Sequence, residues 1–367
     1  MKKVMFRLLL LCLPLLSTVY VNAQNNERLY IQEFSFTPGG EMDYFTIAFE
    51  NGAYSDYTAF QFDLILPPGL ELAYYEGDPE IYISEDDDVY TARKDDHTVA
   101  YNVHPGFIRI ICSSNTNKVI AKSGNLVDIY VTPSPYLKPG NIEVKLTDVK
   151  FARTTEEYGF KADELTLTGL TAESTSSLKV KISAANKYGT AILPFDVENI
   201  PTGLEVYSCN RINGESLVLQ RQERIAAYTP YILYAPNGYE ATLSGEVDAA
   251  KYNERLTDGY LTGTVVHTEI GGGNGYYVLQ NKGEGSMFYK VGDTSFSIPA
   301  GRCWLTIPAG MQGSASFRLD GTTGVEEVKG ENGEVKTIYD LQGRKVNAEN
   351  GKQKGLYIVG GKKVILK

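Results

Sequence analysis

Apolar and polar residues alternate with a period of two along most of this chain. Phe60, Phe62 and Leu64 alternate with Gln61 and Asp63, and the same pattern recurs at 127–131, 142–146 and 178–182. A period of two puts one set of side chains inward and the other in water, as a half-buried antiparallel strand requires. No long window has the three- and four-residue spacing of an amphipathic helix. The pattern predicts an all-β protein.

Turn sequences rich in Pro and Gly, such as Pro67-Pro68-Gly69, separate these strand patterns. Many short strands at this spacing predict two antiparallel β-sandwiches and a small C-terminal β-hairpin tail. Small polar residues at 171–177 and glycine with charge at 321–333 interrupt the alternation and predict linkers. The predicted organisation is therefore a leader at 1–23, a sandwich at 24–170, a second sandwich module at 178–320 and a tail at 334–367.

The first residues have the features of an export signal. Three basic residues precede or adjoin an apolar stretch of nine residues, Leu8 to Leu16. That stretch is shorter than the roughly 20 residues of a membrane-spanning helix. Small residues then lead to a predicted cleavage between Ala23 and Gln24. The protein is predicted to be exported, to the medium or the outer cell surface, without a transmembrane helix.

Negative charge is concentrated in the first predicted sandwich. The formal net charge of the chain is −10, and residues 24–175 hold 25 acidic and 11 basic side chains. A surface of this sign repels a phosphate backbone, so nucleic acid is not a predicted partner.

Three cysteines follow the leader, an odd number that cannot pair completely in an exported protein. Cys112 lies in a strand-like apolar run and is predicted to be a buried apolar group. Cys209 and Cys303 fall in one predicted module, where they either form a disulfide or remain free thiols.

The sequence carries no recognisable catalytic motif. Its three histidines lack metal-pair spacing, and there is no Cys-x-x-Cys, nucleophile elbow or phosphate-binding loop. The expectation is a protein that is not an enzyme and needs no cofactor. One candidate exception is calcium at Asp86, Asp87 and Asp88, because hard cations bind several carboxylate oxygens at once. The run lacks the glycine and spacing of an EF-hand loop, so a solvated acidic loop is the alternative.

Tyrosines cluster in the first predicted sandwich. Flat rings on a sheet face stack on sugars or pack against a protein partner. The alternative for each ring is a core position with a solvated hydroxyl. The candidate ligand platform consists of Tyr54, Tyr57, Tyr74 and Tyr75, and Tyr82 and Tyr90 belong to the same cluster.

The tail resembles the C-terminal sorting domain of type IX secretion substrates. The likeness lies in the block from Thr337 to Val346 and in the block from Gly355 to Val364. Its sorting-like residues are Tyr339, Asp340, Gly343, Arg344, Gly355 and Tyr357. The resemblance implies that the tail is read by an export machinery.

Residues 34–168 resemble a cohesin-like or carbohydrate-binding-module-like sandwich, in the phrases at 58–64, 66–70 and 108–114. Residues 188–307 resemble a β module of exported proteins that has no assigned activity. Cohesins bind dockerin modules through one sheet face. The resemblance thus implies a non-catalytic binding or adhesion protein with an extracellular protein or glycan partner. Two alternatives remain open, a carbohydrate-active hydrolase or accessory module with paired carboxylates, and a surface assembly subunit with an open edge strand.

Overall fold

The computed structural model describes residues 27–50, 56–83, 96–120, 123–155, 158–273, 275–283 and 285–319, together with four short strands between 338 and 366. Strands dominate these ranges, with two short 3-10 helices at Ala249–Lys251 and Ala309–Met311. The predicted all-β fold class is confirmed. The predicted cleavage site at Ala23 and Gln24, the acidic run Asp86 to Asp88 and the predicted linker at 321–333 lie outside the described residues.

The first sandwich is built from two sheets. One has the strand order β1-β3-β11-β5, with β8 also paired to β11, and the other has the order β2-β13-β12-β4-β10-β9. Neighbouring strands are antiparallel except β2 and β13. The strands are β1 (Arg28–Ile31), β2 (Phe34–Phe36), β3 (Asp43–Glu50), β4 (Tyr57–Ile65), β5 (Leu70–Leu72), β6 (Tyr74–Tyr75), β7 (Asp78–Pro79), β8 (Ile81–Ile83), β9 (His97–His104), β10 (Phe107–Ser114), β11 (Gly124–Pro133), β12 (Gly140–Arg153) and β13 (Phe160–Ala172).

The two sheets pack face to face over one hydrophobic core. Alternate residues of each strand point inward, as the period of two predicts. Phe45 and Ile129 enter the core from the five-stranded sheet, and Phe62 and Ile110 enter it from the six-stranded sheet. All members of this core come from residues between 29 and 172. Each sheet therefore has one face on this core and one face directed away from it.

The second module contains a ten-stranded sheet of order β15-β18-β16-β17-β27-β24-β23-β26-β21-β20 and two separate strand pairs, β14-β19 and β22-β25. Its strands are β14 (Thr175–Ile182), β15 (Tyr188–Ala191), β16 (Glu205–Asn213), β17 (Ser216–Gln222), β18 (Tyr231–Tyr234), β19 (Tyr239–Glu246), β20 (Arg255–Asp258), β21 (Leu261–Thr264), β22 (Thr268–Ile270), β23 (Tyr276–Asn281), β24 (Ser286–Lys290), β25 (Phe296–Ile298), β26 (Arg302–Thr306) and β27 (Ser316–Arg318).

The junction between the modules differs from the predicted linker at 171–177. Strand β13 continues to Ala172 and β14 begins at Thr175, so most of these residues belong to strands. Tyr136, from the first module, is buried in the core of the second, where its hydroxyl donates to the Ile192 carbonyl at 2.7 Å. A Cβ on Gly301 would lie 1.9 Å from the Tyr136 hydroxyl, so only glycine fits there. The modules are therefore joined by packing as well as by chain continuity.

The tail strands are β28 (Ile338–Tyr339), β29 (Lys345–Val346), β30 (Gly355–Val359) and β31 (Lys362–Leu366), which form one sheet of order β29-β28-β30-β31. Strands β30 and β31 pair antiparallel, as the hairpin prediction requires. Tyr339 lies in β28, and Gly355 and Tyr357 lie in β30. Asp340, Gly343 and Arg344 lie outside the described residues.

The disulfide considered for Cys209 and Cys303 is not formed in the structure. Both residues are buried free thiols that belong to different hydrophobic clusters. The Cys209 sulfur donates to the Arg211 carbonyl and the Cys303 sulfur to the Ala191 carbonyl. Burial raises the pKa of each thiol to about 12, so neither is a reactive thiolate near neutral pH. Cys112 is buried in the first core, as predicted.

Within the part of the chain that the structure describes, no helix has the length and apolar character to cross a membrane.

Candidate ligand-binding faces of the first sandwich

The structure separates the members of the predicted tyrosine platform. Tyr57 was the wrong choice for this platform, because it lies in the core with 0% exposure and its hydroxyl donates to Glu27 at 2.9 Å. Tyr57 points inward like Phe60 and Phe62, although it is three residues from Phe60, because the pairing of β4 with β12 shifts register between Tyr57 and Ala59. Tyr74 is 54% exposed in β6. Tyr75 lies in β6, and Tyr54 and Tyr90 lie outside the described residues.

Three other tyrosines meet on the outer surface of the five-stranded sheet, and we call Tyr44, Tyr82 and Tyr130 the tyrosine face. Tyr44 in β3 is directly opposite Tyr130 in β11, with ring centroids 5.0 Å apart. Tyr82 in β8 is 49% exposed, and its ring stands perpendicular to that of Tyr130 at 5.6 Å. The adjoining residues Phe45 and Ile129 are buried, so the alternation directs the three rings outward.

Carboxylates accompany the rings of the tyrosine face. Tyr82 donates its hydroxyl hydrogen bond to Glu80, which raises the pKa of Tyr82 to about 12. Asp128 lies directly across from Tyr82, and it accepts a 2.6 Å hydrogen bond from the Thr46 hydroxyl. Asp128 and Thr46 are each 7% exposed, although they lie on the outer side of the sheet. Hydrogen-bonded polar groups thus lie beside the rings on the same face of the sheet, and Glu80 orients the Tyr82 hydroxyl.

The opposite surface of the sandwich has a different chemistry, and we call Gln61, Asp63, Arg109, Asp148 and Lys150 the charged face. The Arg109 guanidinium donates two hydrogen bonds of 2.7 Å to Asp63 and one of 3.1 Å to Asp148. Asp148 also accepts from Gln61 at 2.9 Å and forms an ion pair with Lys150 at 2.5 Å. Bidentate guanidinium–carboxylate pairing fixes the orientation of both groups.

The charged groups of this network shift one another's pKa values. The hydrogen bond from Lys150, with a further contribution from Arg109, holds the pKa of Asp148 below its usual value. In return, the hydrogen bond to Asp148 raises the pKa of Lys150, and the hydrogen bond to Asp63 raises the pKa of Arg109. All three groups therefore remain charged at neutral pH.

Asp148 occupies a β-bulge on this face. Its φ of 51° is in the left-handed region, and the pairing of β12 with β4 shifts register between Thr147 and Lys150. A non-glycine residue in this region is strained by about 1–3 kcal/mol, although Asp tolerates it better than most residues. Strained residues and bulges concentrate at functional sites, where they aim a side chain. Here the bulge aims the Asp148 carboxylate at Arg109.

Apolar groups border the charged face. Ile111 follows Arg109 on the same side of β10 and is 39% exposed. His104 and Phe107, paired at the β9–β10 turn, stack with ring centroids 4.6 Å apart. A partly exposed apolar rim beside fixed charges is the composition of many protein–protein contacts.

A groove of about 480 Å³ lies at the module junction. Ile65 and Lys145, which are cross-strand neighbours, line it on the first module, and Tyr252 and Glu254 line it on the second. The Lys138 ammonium lies 5.6 Å from the centre of the Tyr252 ring. Both modules therefore contribute to the walls of one groove.

Among the described residues, no group of three or more His, Cys, Asp or Glu side chains is arranged to hold a metal ion. The calcium prediction at Asp86, Asp87 and Asp88 lies outside those residues and stays a prediction.

No protein-family model and no curated protein matches this chain. Solved structures similar to it include cohesin modules. A chain of a type I cohesin–dockerin complex from Clostridium thermocellum is 11% identical, with 42% of this chain and 98% of that chain covered and a TM-score of 0.32. A non-cellulosomal cohesin from Archaeoglobus fulgidus is 12% identical, with coverages of 40% and 91% and a TM-score of 0.31. A type III cohesin from a cell-surface anchoring scaffoldin of Ruminococcus flavefaciens is 15% identical, with coverages of 41% and 89% and a TM-score of 0.33.

Proposed function

We propose that this protein is an exported, non-catalytic binding protein that holds a glycan on the tyrosine face of its first sandwich. The observation that carries the proposal is the cluster of Tyr44, Tyr82 and Tyr130, with neighbouring ring centroids 5.0 and 5.6 Å apart on an outward sheet surface. Rings presented on a rigid sheet supply large contact area at low cost in side-chain entropy.

The polar groups beside the rings suit the hydroxyls of a sugar. The Glu80 carboxylate is already aligned by Tyr82, and a carboxylate has lone pairs for more than one donor. Residues 24–175 carry 14 more acidic than basic side chains, which disfavours sulfated or uronic acid polymers. The ligand class is therefore a neutral saccharide.

A glycan array probed with residues 24–367 tests this proposal. We expect binding to neutral saccharides and a loss of about tenfold or more in affinity for Tyr130→Ala. Tyr158→Ala is the matched control, because Tyr158 lies beside Lys150 and Lys161 on the other sheet. An array without hits, or equal losses in both variants, would contradict the proposal.

A second candidate function is the binding of a protein partner on the charged face. The specific observation in its favour is the strained Asp148 bulge beside the exposed Ile111. The cohesin-like resemblance points the same way, since cohesins bind dockerin modules through a sheet face. Ile111→Arg should abolish capture of an extracellular protein partner while glycan binding is retained. Capture that survives Ile111→Arg would remove this candidate.

Export through the tail is part of the same proposal. The sorting-like resemblance predicts that deletion of residues 334–367 prevents the protein from reaching the outer surface or medium. Cell fractionation measures this directly, and unchanged surface delivery would contradict it.

The predicted calcium site is tested by thermal unfolding. Millimolar calcium should raise the Tm of the protein, and this increase should be lost in Asp86→Ala/Asp88→Ala.

The hydrolase alternative has its own test. Glu143 and Glu254 line the same junction groove, so they are the pair to replace if turnover is observed on a polysaccharide panel. Turnover lost in Glu143→Gln or Glu254→Gln would replace the binding proposal with a catalytic one.

A further inference from the structure

Two asparagines of the second module are each followed by glycine in a turn. The chain contains six Asn-Gly dipeptides, and the structure describes both residues in two of them, Asn213-Gly214 and Asn237-Gly238. The backbone nitrogen after an asparagine can attack its side-chain amide, and a following glycine favours this attack because it has no Cβ to obstruct it. Asn213 and Asn237 are both exposed. The two dipeptides therefore share the same chemistry, and the structure around each one sets them apart.

Asn213-Gly214 lies at the tip of the hairpin that joins β16 to β17. Asn213 pairs with Ser216, so Gly214 and Glu215 form a two-residue turn. Gly214 has a φ of 60°, which suits the first turn position of a type II′ hairpin. Its N–H makes no hydrogen bond to a described residue, and beyond its chain neighbours no atom lies within 4 Å of where a Cβ would stand. The Gly214 nitrogen is therefore accessible, with room to approach the Asn213 side chain.

Asn237-Gly238, between β18 and β19, is held much more closely. The Gly238 N–H donates to the Ala235 carbonyl at 3.1 Å, which closes the turn. Ala235 is buried, and a Cβ on Gly238 would lie only 3.0 Å from the Ala184 nitrogen. The nitrogen that would attack Asn237 is thus already hydrogen-bonded, and neighbouring backbone obstructs rotation of this peptide.

We infer that Asn213 is a site of spontaneous deamidation and that the fold protects Asn237. The Gly214 nitrogen gives its proton to a solvent base and bonds to the Asn213 Cγ, an attack that proximity within one chain favours. The Cγ–Nδ2 bond breaks, and ammonia leaves with a proton from solvent, so a cyclic succinimide remains. Water then opens the succinimide at either carbonyl, which produces an aspartate or an isoaspartate at position 213. One water is consumed and one ammonia is released, with no change of oxidation state.

The Asn213 turn also anchors β27, the last described strand of the second module. The Arg318 N–H donates to the Glu215 carbonyl at 2.8 Å, and Arg318 pairs with Ser216 where β27 meets β17. An isoaspartate adds one methylene group to the main chain of a turn that has two residues, so it displaces the Glu215 carbonyl. Deamidation should therefore loosen β27, just before the predicted linker at 321–333.

Timed incubation of the mature protein (residues 24–367) at mildly alkaline pH, followed by tryptic peptide mapping, tests this inference. The tryptic peptides 212–221 and 225–251 each contain a single asparagine, and fragmentation separates Asn213 from Gln220. In the folded protein we expect product to form about fivefold faster or more at Asn213 than at Asn237, the effect of one backbone hydrogen bond. In guanidinium chloride the two rates should become similar. Equal rates in the folded protein, or an Asn213 that reacts only after unfolding, would overturn the inference.

Hydrogen exchange tests the consequence for β27. The deamidated form carries an added negative charge, so ion exchange separates it from the unmodified protein. We expect the amides of β27 to exchange about fivefold faster in the deamidated form, with β18 as the internal control, since it pairs with β16 away from the turn. Asn213→Ala incubated in the same way should show no increase, because it has no side-chain amide to lose. Equal exchange in the two forms, or a matching increase in incubated Asn213→Ala, would overturn the link between this turn and β27.

Discussion

The tyrosine face and the charged face cover opposite sides of one sandwich, and they use its outward positions in opposite ways. The tyrosine face presents neutral rings beside a buried polar pair, in which Asp128 accepts a hydrogen bond from Thr46. The charged face presents a closed network in which Arg109 satisfies Asp63 and Asp148 together. The same alternation thus builds a stacking surface on one sheet and an electrostatic surface on the other. The tyrosine rings contact one another on one sheet, while the ion-pair network stabilises the other sheet, which carries it.

The largest expected difference between the faces concerns stability. Arg109→Leu leaves Asp63, which is 7% exposed, without its two guanidinium hydrogen bonds. Hydrogen bonds to buried charges contribute about 1.5–3 kcal/mol, so we expect a loss of about 2 kcal/mol in the free energy of unfolding. Urea unfolding measures it. Arg28→Leu on the other sheet is the control, because Arg28 and Glu50 are both exposed and such pairs contribute little. Equal losses in both variants would contradict the comparison.

The next effect is on binding. Tyr130→Ala should lower saccharide affinity by about tenfold, or about 1.4 kcal/mol, with the unfolding free energy less affected than in Arg109→Leu. Tyr130 contacts both other rings, at 5.0 and 5.6 Å, so its removal breaks the cluster. Isothermal titration calorimetry gives the affinity. Arg109→Leu serves as the reverse control, and a folded Arg109→Leu protein with the same loss of affinity would mean that the two faces are not independent.

Contacts on the tyrosine face and on the charged face should also lose their contribution to stability at opposite ends of the pH scale. Glu80 raises the pKa of Tyr82 to about 12, above the value of about 10 in an unfolded chain. Stability from this contact is complete below pH 10 and is lost as pH rises through about 12. Glu80→Gln should return the pKa of Tyr82 toward 10, measured by ultraviolet absorbance of the tyrosinate. A Tyr82 titration that does not respond to Glu80→Gln would show that the hydrogen bond is not the cause.

The smallest effect is expected at Asp148. Its pKa is lowered in the folded protein, so the stability it contributes is present above pH 4 and is lost as pH falls through the lower, folded value. Asp148→Asn keeps a residue that tolerates the left-handed conformation, and it should cost less than about 1 kcal/mol at pH 7. Unfolding measured between pH 5 and pH 2 should then show a shallower dependence on pH. An unchanged slope would exclude Asp148 as a source of acid sensitivity.

The local pattern of apolar and polar residues was sufficient to predict the strands, but it was not sufficient to predict which tyrosines form the candidate binding face. The alternation around Phe62 predicts β4 and its inward face, and the structure confirms both. Tyr57 begins the same strand, but a tyrosine suits either a core or a surface, and only the packing against Phe49 and Phe151 decides the matter. Tyr44 and Tyr130 carry no sign of each other in the sequence, because their contact depends on the pairing of β3 with β11.

By itself the amino-acid sequence determined the β class, the inward and outward positions of the main strands, the acidic character of the first module and the buried state of Cys112. Each of these depends on residues near one another in the chain, where a period of two and a local charge count are sufficient. The tertiary structure alone decided which tyrosines share a face, that Arg109 joins Asp63 to a strained Asp148, and that Cys209 and Cys303 remain apart. Those outcomes depend on strand order and register, which are selected by burial of the whole core and not by any one segment.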